Sequence, residues 1–163
     1  MNDKIHIFLD IDGVLATTHQ YHTNRKKWHP TYDCYRFDEK CVKVFNEILE
    51  RVDAVIVLSS DWKTHYDRNT MNEILGWNGV NGTIHAFTPS SWGSRFTSVQ
   101  QLEECRADEI KRYVEKHKIK RWVAIDDLDL APFMSEENFV RTPRANEGIK
   151  QSGVKDKILK KIL

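Results

Sequence analysis

Residues 5–15 read Ile5-His6-Ile7-Phe8-Leu9-Asp10-Ile11-Asp12-Gly13-Val14-Leu15. Ile5, Ile7, Phe8 and Leu9 have the β-branched and aromatic character of a buried strand. The run ends in two carboxylates one residue apart, and Gly13 permits the turn that follows. Buried strands do not end in paired acids for stability. Two carboxylates this close repel, and one is forced to keep its proton unless a cation lies between them. The economical reading is a magnesium site in which one Asp is also a nucleophile; the plain alternative is a strand running into an acidic turn.

Working outward, apolar strands alternate with helical patterns, which predicts an α/β fold, a central parallel sheet with helices on both faces. The first strand covers 5–9. A polar, aromatic stretch over 16–37 follows. Asp38 reads as an N-cap, and Cys41, Val44, Phe45, Ile48, Leu49 and Val52 keep helical spacing. The second strand is 54–58, ending at Ser59-Ser60-Asp61. A helix is expected over 63–75, stopped by Gly76. A short strand near 83–87, a helix over 107–117, a strand over 122–125 ending at Asp126-Asp127, a strand over 138–141 and a basic helix from Val154 complete the pattern. In such sheets the active crevice lies beyond the carboxyl ends of the strands, near the switch in strand order. Right-handed crossovers carry the ends at Asp10/Asp12, Ser59/Ser60 and Asp126/Asp127 to one edge.

Composition agrees with this class. The 163 residues suffice for one domain over 1–163 with one good core, and 40% hydrophobic with 30% charged residues describes a globular chain. A formal net charge of +1 supplies no global field for nucleic acid. Three cysteines, Cys34, Cys41 and Cys105, with no CxxC pair, support neither a disulfide framework nor a zinc site. The N-terminus has no apolar stretch long enough for a signal peptide or membrane span, so a reducing cytoplasm and no membrane partner are expected.

Phosphomonoester hydrolysis needs these parts. An oxygen nucleophile must approach phosphorus in line, charge on the phosphate must be neutralised, and a proton must reach the leaving oxygen. Asp10 suits the nucleophile. Asp12 suits the acid that protonates the leaving oxygen and then the base that activates water. Magnesium takes hard oxygen ligands and keeps several waters, so Asp10, the Asp12 carbonyl and the Asp126/Asp127 pair can supply them. Ser59 offers its hydroxyl and backbone N–H to a phosphate oxygen.

At these residues the chain resembles the haloacid dehalogenase (HAD) superfamily of phosphotransferases. Its first motif, DxDG(V/T), stands as Asp10-Ile11-Asp12-Gly13-Val14, its second as the strand ending in Ser59, and its fourth as Ala124-Ile125-Asp126-Asp127. A closer resemblance is to the HAD domain of Swiss Army Knife RNA repair proteins and to polynucleotide phosphatase domains. It rests on Leu58-Ser59-Ser60-Asp61-Trp62-Lys63, Phe87-Thr88-Pro89, Arg106-Ala107-Asp108-Glu109-Ile110, and Val140-Arg141-Thr142 followed by Gly148-Ile149.

The resemblance implies a HAD-like fold with a minimal cap and a phosphate cradle of Ser59, Ser60 and a third-motif cation. Arg106, at the start of the helix before the acidic strand, is preferred for that cation; Lys111, in Asp108-Glu109-Ile110-Lys111, is the alternative. Lys63 stands where the pattern usually has Arg, which keeps the charge but loses the bidentate fork. The usual Gly-Asp register makes Asp127 the more direct metal ligand and Asp126 a neighbour that holds the basic residue. The implied substrate is a terminal phosphate on RNA, DNA or a nucleotide. A small-metabolite phosphatase and a non-catalytic module that binds phosphorylated ends are the alternatives.

Weaker signals remain. Tyr21, His22, Arg25, Lys26, Lys27, Trp28, His29, Tyr32, Tyr35 and Arg36 mix rings with cations. That mixture suits either stacking on bases or packing of rings on the domain, and the loop over 16–37 is a possible flap. Trp62 either lines the site or pins the helix after the second strand, and its bulk favours packing. Trp92 and Arg95 are loop residues within reach of a substrate. His19, His22 and His29 lack the spacing of a zinc cluster.

Overall fold

The strand at 5–9 is the centre of the molecule. The computed structural model describes residues 4–18, 27–90, 96–143 and 146–163. β1 (Ile5–Leu9) pairs in parallel with β2 (Ala54–Leu58) on one side and β4 (Trp122–Asp126) on the other. β3 (Ile84–Phe87) flanks β2, and β5 (Phe139–Arg141) flanks β4, giving the order β3-β2-β1-β4-β5 with every pair parallel. The chain steps outward from β1 to β3, then crosses back to begin β4 on the far side of β1. That reversal puts the topological switch between the ends of β1 and β4, where Asp10 and Asp126 stand.

Alternation along β1 divides the core. Ile7 and Leu9 join Phe45 and Ile48 of α1 (Glu39–Arg51), Met71 and Ile74 of α2 (Arg68–Trp77) and Ile158 of α4 (Val154–Ile162). Phe8 points the other way, with Val57 and Ala124, into Ala107, Ile110 and Tyr113 of α3 (Val99–Lys116). Among the described residues, three helices thus cover one face of the sheet, and α3 is the one long helix on the other. Among the described residues no helix is long and apolar enough to cross a membrane.

Two helices differ from their sequence reading. The segment expected as one helix over 63–75 is a 3-10 turn (Asp61–Thr64), then a break, then α2 beginning at Arg68. The break arises because Asp67 is itself an N-cap, accepting from the Thr70 N–H at 2.8 Å. Gly76 does not stop α2, which runs to Trp77 and closes on Asn78. α3 begins at Val99, capped by Ser98, about two turns before the expected start at 107. Arg106 therefore lies inside the helix and not at its start. The polar run Gln100-Gln101-Leu102-Glu103-Glu104 hid those turns, since it carries no apolar stripe.

The expected cap at Asp38 is present and does more than cap. Its carboxylate accepts from the Lys40 N–H at 3.0 Å, from the Cys41 N–H at 3.4 Å and from Thr17 Oγ1 at 3.0 Å, and it pairs with Lys150. Burial alone would raise this carboxyl, but the hydrogen bonds from Lys150 and Thr17 outweigh it and hold it below its usual range. Asp38→Ala should cost about 2–4 kcal/mol, by loss of the cap and an ammonium left without its partner. The Asp38 contribution is present above about pH 4 and is lost as pH falls through the lowered value. Urea unfolding of wild type and variant at pH 7 and pH 3.5 checks this: the gap between them should narrow at the lower pH.

Candidate active site

The turn after β1 is built on one carbonyl. Ile11 O accepts from the N–H groups of Val14, Leu15 and Ala16 at 3.1, 2.9 and 3.0 Å. Ile11, Val14 and Leu15 are fully buried beneath the turn. Gly13 has φ +80°, and a Cβ there would lie 2.3 Å from Asp127 Oδ2. Glycine is thus required twice, for the left-handed backbone and for the approach of a carboxylate. Thr142, fully buried just past β5, donates from Oγ1 to Gly13 O at 2.7 Å and from its N–H to Asp126 O at 2.9 Å. Ile149 N–H donates to Val14 O at 3.0 Å. The C-terminal third of the chain therefore clamps the turn that carries the first motif.

Asp10, Asp126 and Asp127 each bring a carboxylate oxygen to one point, all within 4.8 Å of one another. Arg106 enters from α3, buried and multiply paired. Its Nη1 lies 2.7 Å from Asp126 Oδ2, 3.4 Å from Asp10 Oδ1 and 3.1 Å from Ser59 O, and its Nη2 lies 3.3 Å from Asp61 Oδ1. Asp126 spends its other oxygen on the Leu128 N–H at 3.0 Å. Asp12 faces solvent beside this group, and its Oδ2 accepts from Trp62 Nε1 at 2.9 Å.

One guanidinium does not balance these acids. Burial raises Asp10 well above the carboxylate range, and Asp126 adds to the rise against the pull of Arg106. Asp126 is pushed up to about 6 by burial, with Arg106 and the Leu128 N–H opposing. The surrounding protein raises Asp12 as well, with the Trp62 hydrogen bond opposing and Asp127 and Asp61 adding to it. Burial also works against the Arg106 charge, but Asp126, Asp10 and Asp61 outweigh it and keep the guanidinium cationic. The excess negative charge, the hard oxygen donors and their convergence fit a magnesium ion.

Other expected residues lie as follows. The Ser59 N–H donates to Leu9 O at 2.9 Å, within the sheet ladder, so the expectation that this N–H meets a phosphate is corrected. Its hydroxyl is buried with no hydrogen-bond partner among the described residues. Ser60 caps the 3-10 turn, accepting from the Trp62 N–H at 3.4 Å. The Lys63 ammonium pairs with Glu109 and donates to Thr88 Oγ1 at 3.0 Å and Pro89 O at 3.2 Å, which ties the β3 exit to α3. With three N–H groups so engaged, Lys63 is placed as a tether and not as a phosphate cradle. Lys111 is exposed on α3 and absent from the carboxylate group, which Arg106 enters.

Sequence reasoning overlooked Asp61, which holds the outer edge of Arg106, and preferred packing over lining the site for Trp62, which does both. Trp62 does pack, against Phe37 and Tyr66 with ring centroids 5.6 and 5.9 Å away, and that packing aims its N–H at Asp12. The signal available was position alone, since both follow the second-motif serines. A cavity of about 510 Å³ opens beside Asp12, lined by Asp12, Asp33, Asp61, Trp62, His65 and Tyr66. The described part of the ring-rich loop packs on the domain: Tyr32 on Tyr66, His29 on Trp77, and the Arg36 guanidinium 4.1 Å over Trp77. His19, Tyr21, His22, Arg25, Lys26, Trp92 and Arg95 lie outside the described residues.

One family model, described as the HAD domain in Swiss Army Knife RNA repair proteins, matches residues 6–154. No curated protein and no solved structure matches the chain.

Between about pH 4 and 6 the metal-free folded protein holds protons on Asp10 and Asp126 that the unfolded chain has released. Its stability should therefore fall as pH rises across that window. Magnesium at ten times its Kd should raise Tm by about 3–6 °C at pH 7.5, and by less at pH 5, where protons compete. Asp127→Asn should melt no lower than wild type in EDTA and lose most of the magnesium shift. Differential scanning fluorimetry checks both.

Proposed function

The chain belongs to the HAD domain family of Swiss Army Knife RNA repair proteins, and from that membership and the site we propose a magnesium-dependent phosphomonoesterase that works through an aspartyl-phosphate. Membership alone supports a phosphatase-type function in general. The observation that carries the finer reading is the convergence of Asp10, Asp126 and Asp127 on one point, with the Arg106 guanidinium against Asp10.

Asp10 attacks phosphorus, and the bond from phosphorus to the leaving oxygen breaks. Asp12 gives that oxygen its proton; its raised affinity for protons suits the task. Asp12, now a carboxylate, takes a proton from a water that attacks the phosphoryl group, and the bond to Asp10 breaks to release phosphate. Asp10, Asp127 and Asp126 would hold the magnesium ion, which when bound supplies charge neutralisation to the phosphoryl oxygens. Arg106 keeps Asp10 in place and compensates part of the buried charge. The Ser59 hydroxyl, which has no partner among the described residues, is the donor for a phosphoryl oxygen, and Ser60 stands next to it. Trp62 fixes the Asp12 carboxyl at the mouth of the cavity that receives the leaving group.

The substrate we favour is a terminal phosphate on RNA, DNA or a nucleotide. The family's association with RNA repair supports it, as do the rings beside Asp12. We place the activity in the cytoplasm, a reading supported by three buried free cysteines, of which Cys34 and Cys41 are pushed up to about 11 by burial. A small phosphorylated metabolite is the second reading, favoured by a cavity sized for one leaving group. Comparing kcat/KM on a phosphorylated oligonucleotide and on mononucleotides separates the two.

With p-nitrophenyl phosphate and magnesium, Asp10→Asn should lose at least about 1,000-fold in kcat. Trp62→Phe keeps the ring but not the N–H, and should lower kcat about 10- to 100-fold with KM within twofold. Wild-type turnover by Asp10→Asn would refute the nucleophile. Unchanged kcat in Trp62→Phe would refute the role given to its N–H.

A further inference from the structure

Among the described residues α3 is the one long helix on its face of the sheet, and its C-terminal end lies beside the strand starts. The row of residues that Phe8 begins continues downward to His6, at the end of the strands opposite Asp10. His6 pairs in register with Val55 and Trp122, the second residue of β2 and the first of β4. Val55 and Trp122 keep that level of the sheet apolar on either side of His6. Beside them a cleft of about 370 Å³ opens between the strand starts and the C-terminal turn of α3.

Its lining is one-signed. Lys4, Lys118, Lys120 and Arg121 surround it, together with the imidazoles of His6, His85 and His117, and among the described residues no carboxylate belongs to the lining. Asp53 reaches Lys4 at 3.1 Å, and Arg121 gives one N–H to Ile162 O at 2.9 Å. A lysine ammonium has three N–H donors, so the contact with Asp53 leaves donors on Lys4. His6 Nδ1 is buried with no hydrogen-bond partner among the described residues. Burial lowers the His6 pKa, a backbone hydrogen bond with Lys4 opposes it, and the nearby His85 and His117 add to the lowering. A cation or two at a helix C-terminus complements the helix dipole. Four cations and three imidazoles around one concavity exceed that need in a chain whose net charge is +1.

We propose that this cleft is a second binding site, separate from the carboxylate group, for phosphate groups carried by a nucleic-acid strand or by a small phosphorylated ligand. His6 and Asp10 are four residues apart along one extended line, roughly 13 Å at about 3.3 Å per residue. The two sites are therefore at opposite ends of the sheet, one negative and one positive. A phosphate held at the positive end needs no scissile bond, and among the described residues nothing in its lining is a nucleophile aligned with an acid. Its role is attachment.

The test uses a ten-nucleotide single-stranded RNA with hydroxyls at both ends, so that it offers the carboxylate site no terminal phosphate. Binding is read by fluorescence anisotropy with the full chain, for wild type and for Lys118→Asn/Lys120→Gln. Both lysines are exposed, and Lys118 has φ +52°, a conformation that asparagine tolerates. The double variant should weaken binding about five- to tenfold at 0.15 M salt, and should reduce the slope of log Kd against log salt by about 1.4. Its p-nitrophenyl phosphate turnover and Tm should match wild type. In parallel, tripolyphosphate is titrated while the imidazole NMR signals of His6, His85 and His117 are followed. RNA binding that is lost in the variant assigns the cleft to a strand. Movement of the three imidazoles with tripolyphosphate, without RNA binding, assigns it to a small phosphorylated ligand. RNA bound equally by wild type and variant, with imidazoles that do not move, overturns the proposal, as does the absence of any response in both experiments.

Discussion

The buried guanidinium of Arg106 is the contact on which the rest of the site depends. It reaches Asp126 from β4, Asp10 from the end of β1 and the Ser59 carbonyl from the end of β2, and it is covered at its outer edge by Asp61. Three strand ends are thereby held by one planar group whose charge does not titrate in the working range. Breaking such a buried pair by removing one partner typically costs about 3–5 kcal/mol, because the remaining charges stay out of water. The position of α3 follows from the same requirement. Its apolar side, Ala107, Ile110 and Tyr113, packs on Phe8 and Ala124, and that packing delivers Arg106 to the top of the sheet.

One positive charge among several acids leaves the group under tension that a divalent ion would relieve. Burial raises the proton affinity of Asp10 and Asp126, and the neighbouring acids add to the rise. The surroundings are arranged so that the acids cannot move apart. Gly13 lets Asp127 press against the first turn, Thr142 bridges Gly13 O and Asp126 O, and the Ile149 N–H fixes Val14 O. Repulsion among the carboxylates is thus held within a stiff frame, so that binding of a cation would require little rearrangement. Asp12 is set by a separate device, the Trp62 N–H, and remains toward solvent beside the cavity.

Much of this was legible before any coordinates. Ile5–Leu9 and Ala54–Leu58 announce themselves by composition, and parallel pairing follows from the alternation with helices. Asp10, Asp126 and Asp127 stand at strand ends, and the topology brings strand ends together. Other features were hidden for physical reasons. The first turns of α3 carry no apolar stripe, so the helix seemed to begin at Ala107 and Arg106 seemed to start it. Asp67 interrupts the helix after the second motif through a side-chain hydrogen bond that periodicity does not register. The fate of Lys63 was beyond sequence because its partner, Glu109, is 46 residues away. The Ser59 N–H was assigned to phosphate although the ladder to Leu9 consumes it, a consequence of register that only pairing reveals. Trp62 was read by its bulk, whereas its one polar atom carries the contact with Asp12.

The decisive measurement is a crystal structure of the protein with magnesium and trifluoroberyllate, a mimic of the phosphoryl group on an aspartate. The predicted result is beryllium bonded to a carboxylate oxygen of Asp10, with a magnesium ion touching both Asp10 and Asp127, and a fluorine within hydrogen-bond reach of the Ser59 hydroxyl. Trifluoroberyllate and magnesium bound away from Asp10, or carboxylates that stay empty at saturating concentrations of both, would contradict it.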